Sequence, residues 1–332
     1  MRKISNTILQ IASSVLLIFM GAIHAEDGLP NPSSRADAQP KTLTILAEAL
    51  YWYTGETVEW AFTLTGNQTE VNTAYKTFVF DWAPGYRIGL GYNMKHDQWD
   101  TQIRYTWFQS KATDQTKGPV TPAFLASRLS LLEPFSTGKA SLNLLYNMFD
   151  WDLGRSFLIS NHLLVRPSIG LRGGWINQVI HSYWTKPSLF NLFIVSASEN
   201  LKQSFRAGGP KGGISGKWCF GNIQKHYFSI MGQFEIGCLW GHWSIRDKYI
   251  DNLCTKISVN TKDRNFGSFV LHAFMGFGWD SNFDHSRSHF SVKLGYEIED
   301  WLNQFQIFSD TSGSQSNDLI LQGLTLGLRF DF

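Results

Sequence analysis

The residues of this chain that could do chemistry are charges set at alternate positions between apolar side chains. Arg87, Arg104, Arg166, Arg172, Lys293 and Arg329 are the cations of this set, and Asp100, Glu235 and Glu297 the anions. A period of two puts such charges on one face of a β-strand and the apolar residues on the other. If the apolar faces meet lipid, the charges line an enclosed lumen. The chemistry open to them there is discrimination among ions. Six cations against three anions predict a weak preference for anions. The competing reading is that the charges pair across the wall and merely wet the interior.

Other chemistries find little to work with. The nine histidines are scattered and none has a metal-ligand spacing such as HExxH. His96-Asp97 is the best adjacent pair, but in a tight turn neighbouring side chains point apart. Cys219, Cys238 and Cys254 match no zinc motif. One bridge plus a spare thiol is open to them; three unpaired, mostly buried thiols is the simpler expectation. Gly89 and Gly91 begin a GxGxxG pattern, but the third glycine and the helix are missing, so the pair is expected to let strands bend or a large neighbour pack. No metal, cofactor or catalytic residue is therefore expected. An enzyme with a Ser/His/Asp set on a barrel rim is the rival class, disfavoured because nucleophile, base and orienter cannot be assembled. A third class is a structural or adhesive barrel whose lumen is plugged, with the aromatics of 183–193 and the apolar run 124–132 as filling.

The elements that must hold these charges read as strands. Residues 319–332, LILQGLTLGLRFDF, place Phe332, Phe330, Leu328, Leu326 and Leu324 on one face, opposite Asp331, Arg329, Gly327 and Thr325. An apolar face that runs to an aromatic last residue suits the closing strand of a barrel in lipid. Phe330 and Phe332 are expected to be the signal read by the barrel-assembly machinery. Clear hairpins follow upstream. Tyr86, Ile88, Leu90 and Tyr92 lead through a turn at 94–98 to Trp99, Thr101, Ile103, Tyr105 and Trp107. Leu142, Leu144, Tyr146 and Met148 form an apolar face and lead through 150–154 to a strand over 163–175 containing Pro167, a candidate bulge. Phe228 to Trp240 and Phe290 to Ile298 alternate as well. Lys41–Tyr53 is the expected first strand; 58–66, 74–82 and the Gly-rich stretch before Phe220 are weaker candidates.

Connections alternate short and long, with long ones near 109–138, 178–205, 244–265 and 300–318. Short periplasmic turns and long external loops fit an outer-membrane barrel. The expectation is an all-β, antiparallel transmembrane barrel of about 12 strands (10–14) over residues 41–332. Its neighbours would be outer-membrane lipid, small solutes and ions, with association of further copies left open.

Composition agrees. Arg2, Lys3 and the apolar run 8–23 predict a signal peptide over 1–25, cleaved after Ala25; an uncleaved anchor is the alternative. Residues 26–40, with Pro30, Pro32 and Pro40, predict a disordered periplasmic leader. Removing Arg2 and Lys3 from 29 basic residues leaves as many bases as the 27 acids, so no bulk charge draws nucleic acid. Aromatic residues make up 15% of the chain, with 13 tryptophans, yet the rest holds no apolar run of ~18 residues. That balance suits aromatic girdles on strands.

Two blocks carry a resemblance. FDWAPGYRIGLGYNMKHDQWDTQIRYTWFQSKA (80–112) and LNLLYNMFDWDLGRSFLISNHLLVRPSIGLRGGWINQ (142–178) resemble segments of the major outer-membrane-protein-like porins of chlamydia-related bacteria and of the similar Legionella pore-forming family. With the closing strand they cover about a quarter of the chain. The resemblance implies a pore-forming barrel in the outer membrane, passing ions and small hydrophilic solutes. Residues 178–265 depart most from it. In a bacterial envelope the Asn67-Gln68-Thr69 acceptor pattern has little meaning.

Overall fold

The computed structural model describes residues 43–332 apart from 68–69, 95–97, 125–133, 187–195, 224–225, 284–287 and 310–312. The expected signal peptide, the leader, His96-Asp97 and nearly all of the apolar run 124–132 lie outside the described residues.

The strands in chain order are β1 (Leu43–Gly55), β2 (Glu59–Asn67), β3 (Glu70–Thr77), β4 (Ala83–Asn93), β5 (Trp99–Pro122), β6 (Phe135–Arg155), β7 (Phe157–Leu158), β8 (Leu163–Thr185), β9 (Ser196–Ile223), β10 (His226–Asp251), β11 (Lys256–Phe283), β12 (Ser288–Ser309) and β13 (Gly313–Asp331). Ten of them close a ring in the order β1-β4-β5-β6-β8-β9-β10-β11-β12-β13, each antiparallel to its neighbours. The barrel shuts where β13 meets β1, from Thr44↔Asp331 to Gly55↔Ile320. Leu43 and Phe332 exchange backbone hydrogen bonds of 3.0 Å, so the C-terminal residue is held in the ladder.

Period-two alternation explains why these segments are strands with two solvents. On β13, Leu324, Leu326, Leu328, Phe330 and Phe332 are exposed on the outside, while Thr325 and Asp331 are buried within. On β1, Ile45 and Tyr51 face out and Leu46, Glu48 and Leu50 face in. An exposed apolar belt is what a hydrocarbon solvent selects. Gly89 lies on the inner face, where a Cβ would stand 2.8 Å from the Ile103 carbonyl and 3.0 Å from Arg104 Cγ, so close packing is its role.

The ring has ten strands, not twelve. Segments 58–66 and 74–82 form the β2–β3 hairpin, which leaves the wall because β1 pairs directly with β4. The long loops are also mostly strand. β9 and β11 have 28 residues each, where crossing lipid takes only ~9–11. Beyond the apolar belt the outward residues turn polar and the inward ones apolar, so a search for apolar outer faces loses the strand. On β6 that inversion misled the facing itself: Leu142, Leu144, Tyr146 and Met148 are buried inside, and Phe149 and Trp151 face out. Residues 150–154 belong to β6 rather than to a turn. Pro167 pairs with Ile214 without a register shift, at the point where β6 pairing ends and β7 begins, so the missing donor costs little. None of the three cysteines forms a disulfide among the described residues, and Cys238 and Cys254 are exposed rather than buried.

Candidate functional site: a filled lumen

All nine charges singled out from the sequence sit on the inner face near the short-turn end, and every one is in an ion pair. Arg87 donates from Nη1 to Glu48 at 2.6 Å and lies 3.4 Å from Glu297, and its Nε donates to Thr106. Arg104 bridges Asp152 at 2.7 Å and Glu235 at 3.3 Å. Arg166 makes a forked pair with Asp100, at 2.8 and 2.5 Å. Arg172 donates to Asp150 at 2.6 Å and reaches Glu299 at 3.2 Å. Lys293 pairs with Glu48 and Arg329 with Asp331. Phe330 and Phe332 are not in the lumen; they lie exposed on the outer face at the chain end, with ring centroids 5.6 Å apart.

Sequence reasoning missed half of this network. Glu48, Asp150, Asp152, Asp280 and Glu299 join it, with Lys211, Lys217, His272 and His289. Lys211 lies within 2.9 Å of both Asp150 and Asp152 and 3.2 Å from Glu235. Asp331 was legible from its parity with Arg329. Asp150 and Asp152 were lost to the supposed turn, and Lys211 to a strand too rich in glycine to show alternation. The described network joins eight lysines and arginines to nine carboxylates, so the six-to-three excess of cations does not survive. Beneath it, at the short-turn mouth, a cavity of about 370 Å³ is lined by Asp100, Arg166, Lys217, Lys293 and Arg329 among others.

Above the charges the barrel is packed with rings. Trp52, Phe108, Tyr146, Phe205, Trp243 and Trp301 are buried in one inner cluster. Tyr146 on β6 donates its hydroxyl to Glu299 of β12 and its ring meets Trp301 edge-on at 6.0 Å. β6 and β12 are diametrically opposed in the ring of ten, so this contact crosses the whole lumen. Trp301 Nε1 also donates to Glu299, at 2.7 Å.

A chain of buried amides comes next. Gln178 Nε2 donates to both oxygens of Glu56 at 2.7 Å, Gln203 donates to Gln178 at 3.1 Å, and Gln306 N donates to Gln203. Glu56 stands beyond the apolar belt. Burial pushes its carboxyl up to about 8, with the Gln178 amide offsetting only part of that cost. Higher still, Val58, Trp60, Ala61, Phe78 and Phe80, from the hairpin and its base, fill the mouth of the barrel against Ala140, Leu142, Ile180, Trp184, Leu201 and Tyr249 of the wall. Trp60 donates to Asp114 at 3.0 Å and its ring lies 5.2 Å from that of Trp184. The Tyr249 phenol there is held above its ordinary range by burial, then by Asp251 and Glu199.

No group of His, Cys, Asp and Glu able to hold a metal occurs among the described residues. The two lumen histidines of the network have both ring nitrogens turned to carboxylates: His272 to Glu297 and Glu235, His289 to Asp331 and Asp280. His289 hydrogen-bonds through both nitrogens, and His272 through Nε2, with its Nδ1 3.7 Å from Glu235.

Comparisons with known proteins bear on what this barrel is. Among solved structures, the outer membrane protease OmpT of Escherichia coli is 13% identical, with 92% of this chain and 99% of that chain covered and a TM-score of 0.45. The toluene transporter TodX of P. putida is 9% identical, covers 92% and 93%, and has a TM-score of 0.34. Comparison with curated proteins finds no match. The family model described as Legionella pneumophila major outer membrane protein precursor matches residues 37–332. That span takes in every described strand, and the chain therefore belongs to the Legionella major outer membrane protein family, as an outer-membrane β-barrel.

Proposed function

We propose that the protein is an outer-membrane channel for ions and small polar solutes that is shut at rest and opens only when its lumen rearranges. The observation that carries this is the Tyr146–Glu299–Trp301 contact, which spans the diameter just above the charge network. Barrel size supports it. About eight strands leave room only for side chains, whereas roughly 16–18 enclose a wide aqueous channel, and ten stands near the filled end. The charge network supplies the moving part. Arg172 and Lys211 each face three carboxylates, so partners can be exchanged without stranding a charge. A purely structural barrel is the second reading, favoured by the apolar levels above the network.

A weak preference for anions rests on exposure rather than on number. Lys217 and Lys293 keep 22% and 21% of their side-chain surface accessible, against 4% and 3% for their partners Asp280 and Glu48. The vestibule thus offers solvent its cationic tips. The protein is not read as an enzyme: the two histidines of the lumen network face carboxylates, and no nucleophile stands beside them in the ion-pair network. Phe330 and Phe332, free on the outer face of the closing strand, are the recognition element for barrel assembly.

The test is the refolded protein in a planar bilayer under a salt gradient. Tyr146→Ala combined with Trp301→Ala removes two spanning side chains and is expected to raise the open fraction at least about tenfold, the effect of ~1.4 kcal/mol. The reversal potential should fall on the anion side. Silence in both wild type and variant supports the structural reading instead, and a cation-side reversal overturns the selectivity.

A further inference from the structure

Outside the barrel, just beyond the lipid-facing belt, β9 and β10 carry a row of cations that nothing in the fold uses. Arg206 is paired in register with His242 on one side and Trp175 on the other. Two residues along, Ser204 faces Ser244; two further, Lys202 stands directly opposite Arg246, and Lys248 follows opposite Asn200. Like charges directly opposed on antiparallel strands are destabilising. Here they are also uncompensated. Lys202, Arg206, Arg246 and Lys248 are all exposed, and among the described residues none of their side chains has an ion pair, hydrogen bond or ring contact. No outward residue of β8, β9 or β10 in these rows is acidic.

Their height along the wall identifies what they face. Trp240, 71% exposed, ends the belt on the outward face of β10, one step before His242, and Trp175 on β8 is level with Arg206. Outward tryptophans mark the depth of the membrane–water interface. Lysines and arginines set at or just above that depth meet headgroup phosphates, each adding attraction that falls off within a Debye length. Beside the cations the outer wall is hollowed into a shallow depression of about 880 Å³, lined by Thr113, Lys139, His181, Tyr183 and Asn200 among others. Those are side chains that suit hydroxyl-rich groups.

We propose that this face binds a phosphorylated glycolipid of the surrounding membrane, with its phosphates on Lys202, Arg206, Arg246 and Lys248 and its sugars in the adjoining depression. The cost of opposing two cations is offset by the bound anion. The site is independent of whether the lumen conducts.

The test uses the refolded full chain in zwitterionic detergent, titrated with diphosphoryl lipid A and followed by native mass spectrometry. The fourfold variant Lys202→Gln, Arg206→Gln, Arg246→Gln, Lys248→Gln is expected to bind at least about tenfold more weakly, since each basic residue adds attraction to an anionic surface. Lys111→Gln with Lys117→Gln, exposed cations of β5 outside the depression, should change binding less than about twofold. Gel mobility before and after boiling checks that each variant is folded, and Lys202→Gln with Arg246→Gln serves if the fourfold variant is not. Equal affinity of wild type and variant overturns the proposal. So does competition by inorganic phosphate at the lipid's own concentration, which would make this a site for a free anion.

Discussion

Two sets of cations divide this molecule. Inside the barrel, Arg87, Arg104, Arg172 and Lys211 are nearly sealed from solvent and each touches more than one carboxylate. Outside, Lys202, Arg206, Arg246 and Lys248 touch none among the described residues. The same residue types on alternate positions of neighbouring strands thus do opposite work. An inner charge cannot be left without a partner, because desolvation would cost several kcal/mol. An outer charge can wait in water or headgroups for a ligand. A cation's function here follows from which face of the pleat it occupies and at what depth.

The contrast can be broken at either end. The largest effect is expected from Arg172→Ala, which takes the forked partner from Asp150 and the cation from Glu299; a loss of about 3–5 kcal/mol should appear in urea unfolding of the refolded barrel. A loss below about 1 kcal/mol would mean that water already reaches those carboxylates. Tyr146→Phe removes one donor from Glu299, which keeps Arg172 and Trp301, so about 1–2 kcal/mol is expected by the same measurement. The smallest effect belongs to the outer set. Lys202→Gln with Arg246→Gln should leave stability within about 0.5 kcal/mol or raise it slightly, since it relieves repulsion.

Glu56 offers a sharper probe of the upper filling. Its folded carboxyl titrates near 8, above the unfolded value of 4.5, so the folded barrel holds the proton more tightly. Stability should therefore be highest at and below the unfolded value, fall as pH rises from there to about 8, and level off beyond. Melting followed across that window should slope downward in wild type and flatten in Glu56→Gln. An unchanged slope in the variant would remove Glu56 as its source.

How much of this the sequence disclosed depends on the solvent at each face. Within the belt, lipid outside and charge inside write a strict alternation, so Leu324 to Phe332, Tyr86 to Tyr92 and Phe290 to Ile298 could be placed by counting in twos. Beyond the belt the outside becomes water and the inside apolar, and the same rule pointed Leu142 and Tyr146 the wrong way. The filling was invisible for a different reason. Trp52, Phe205 and Trp301 come from strands far apart in sequence and meet only once the ring closes. The hairpin of β2 and β3 reads locally like any other, and nothing in its residues says that β1 will pair with β4 past it.

The central claim is that contacts across the diameter keep the barrel shut, and a single-channel record of the wild-type protein in a planar bilayer tests it most directly. Long silence broken by brief, infrequent openings is the result predicted. Sustained stepwise conductance from the unmodified protein would contradict it.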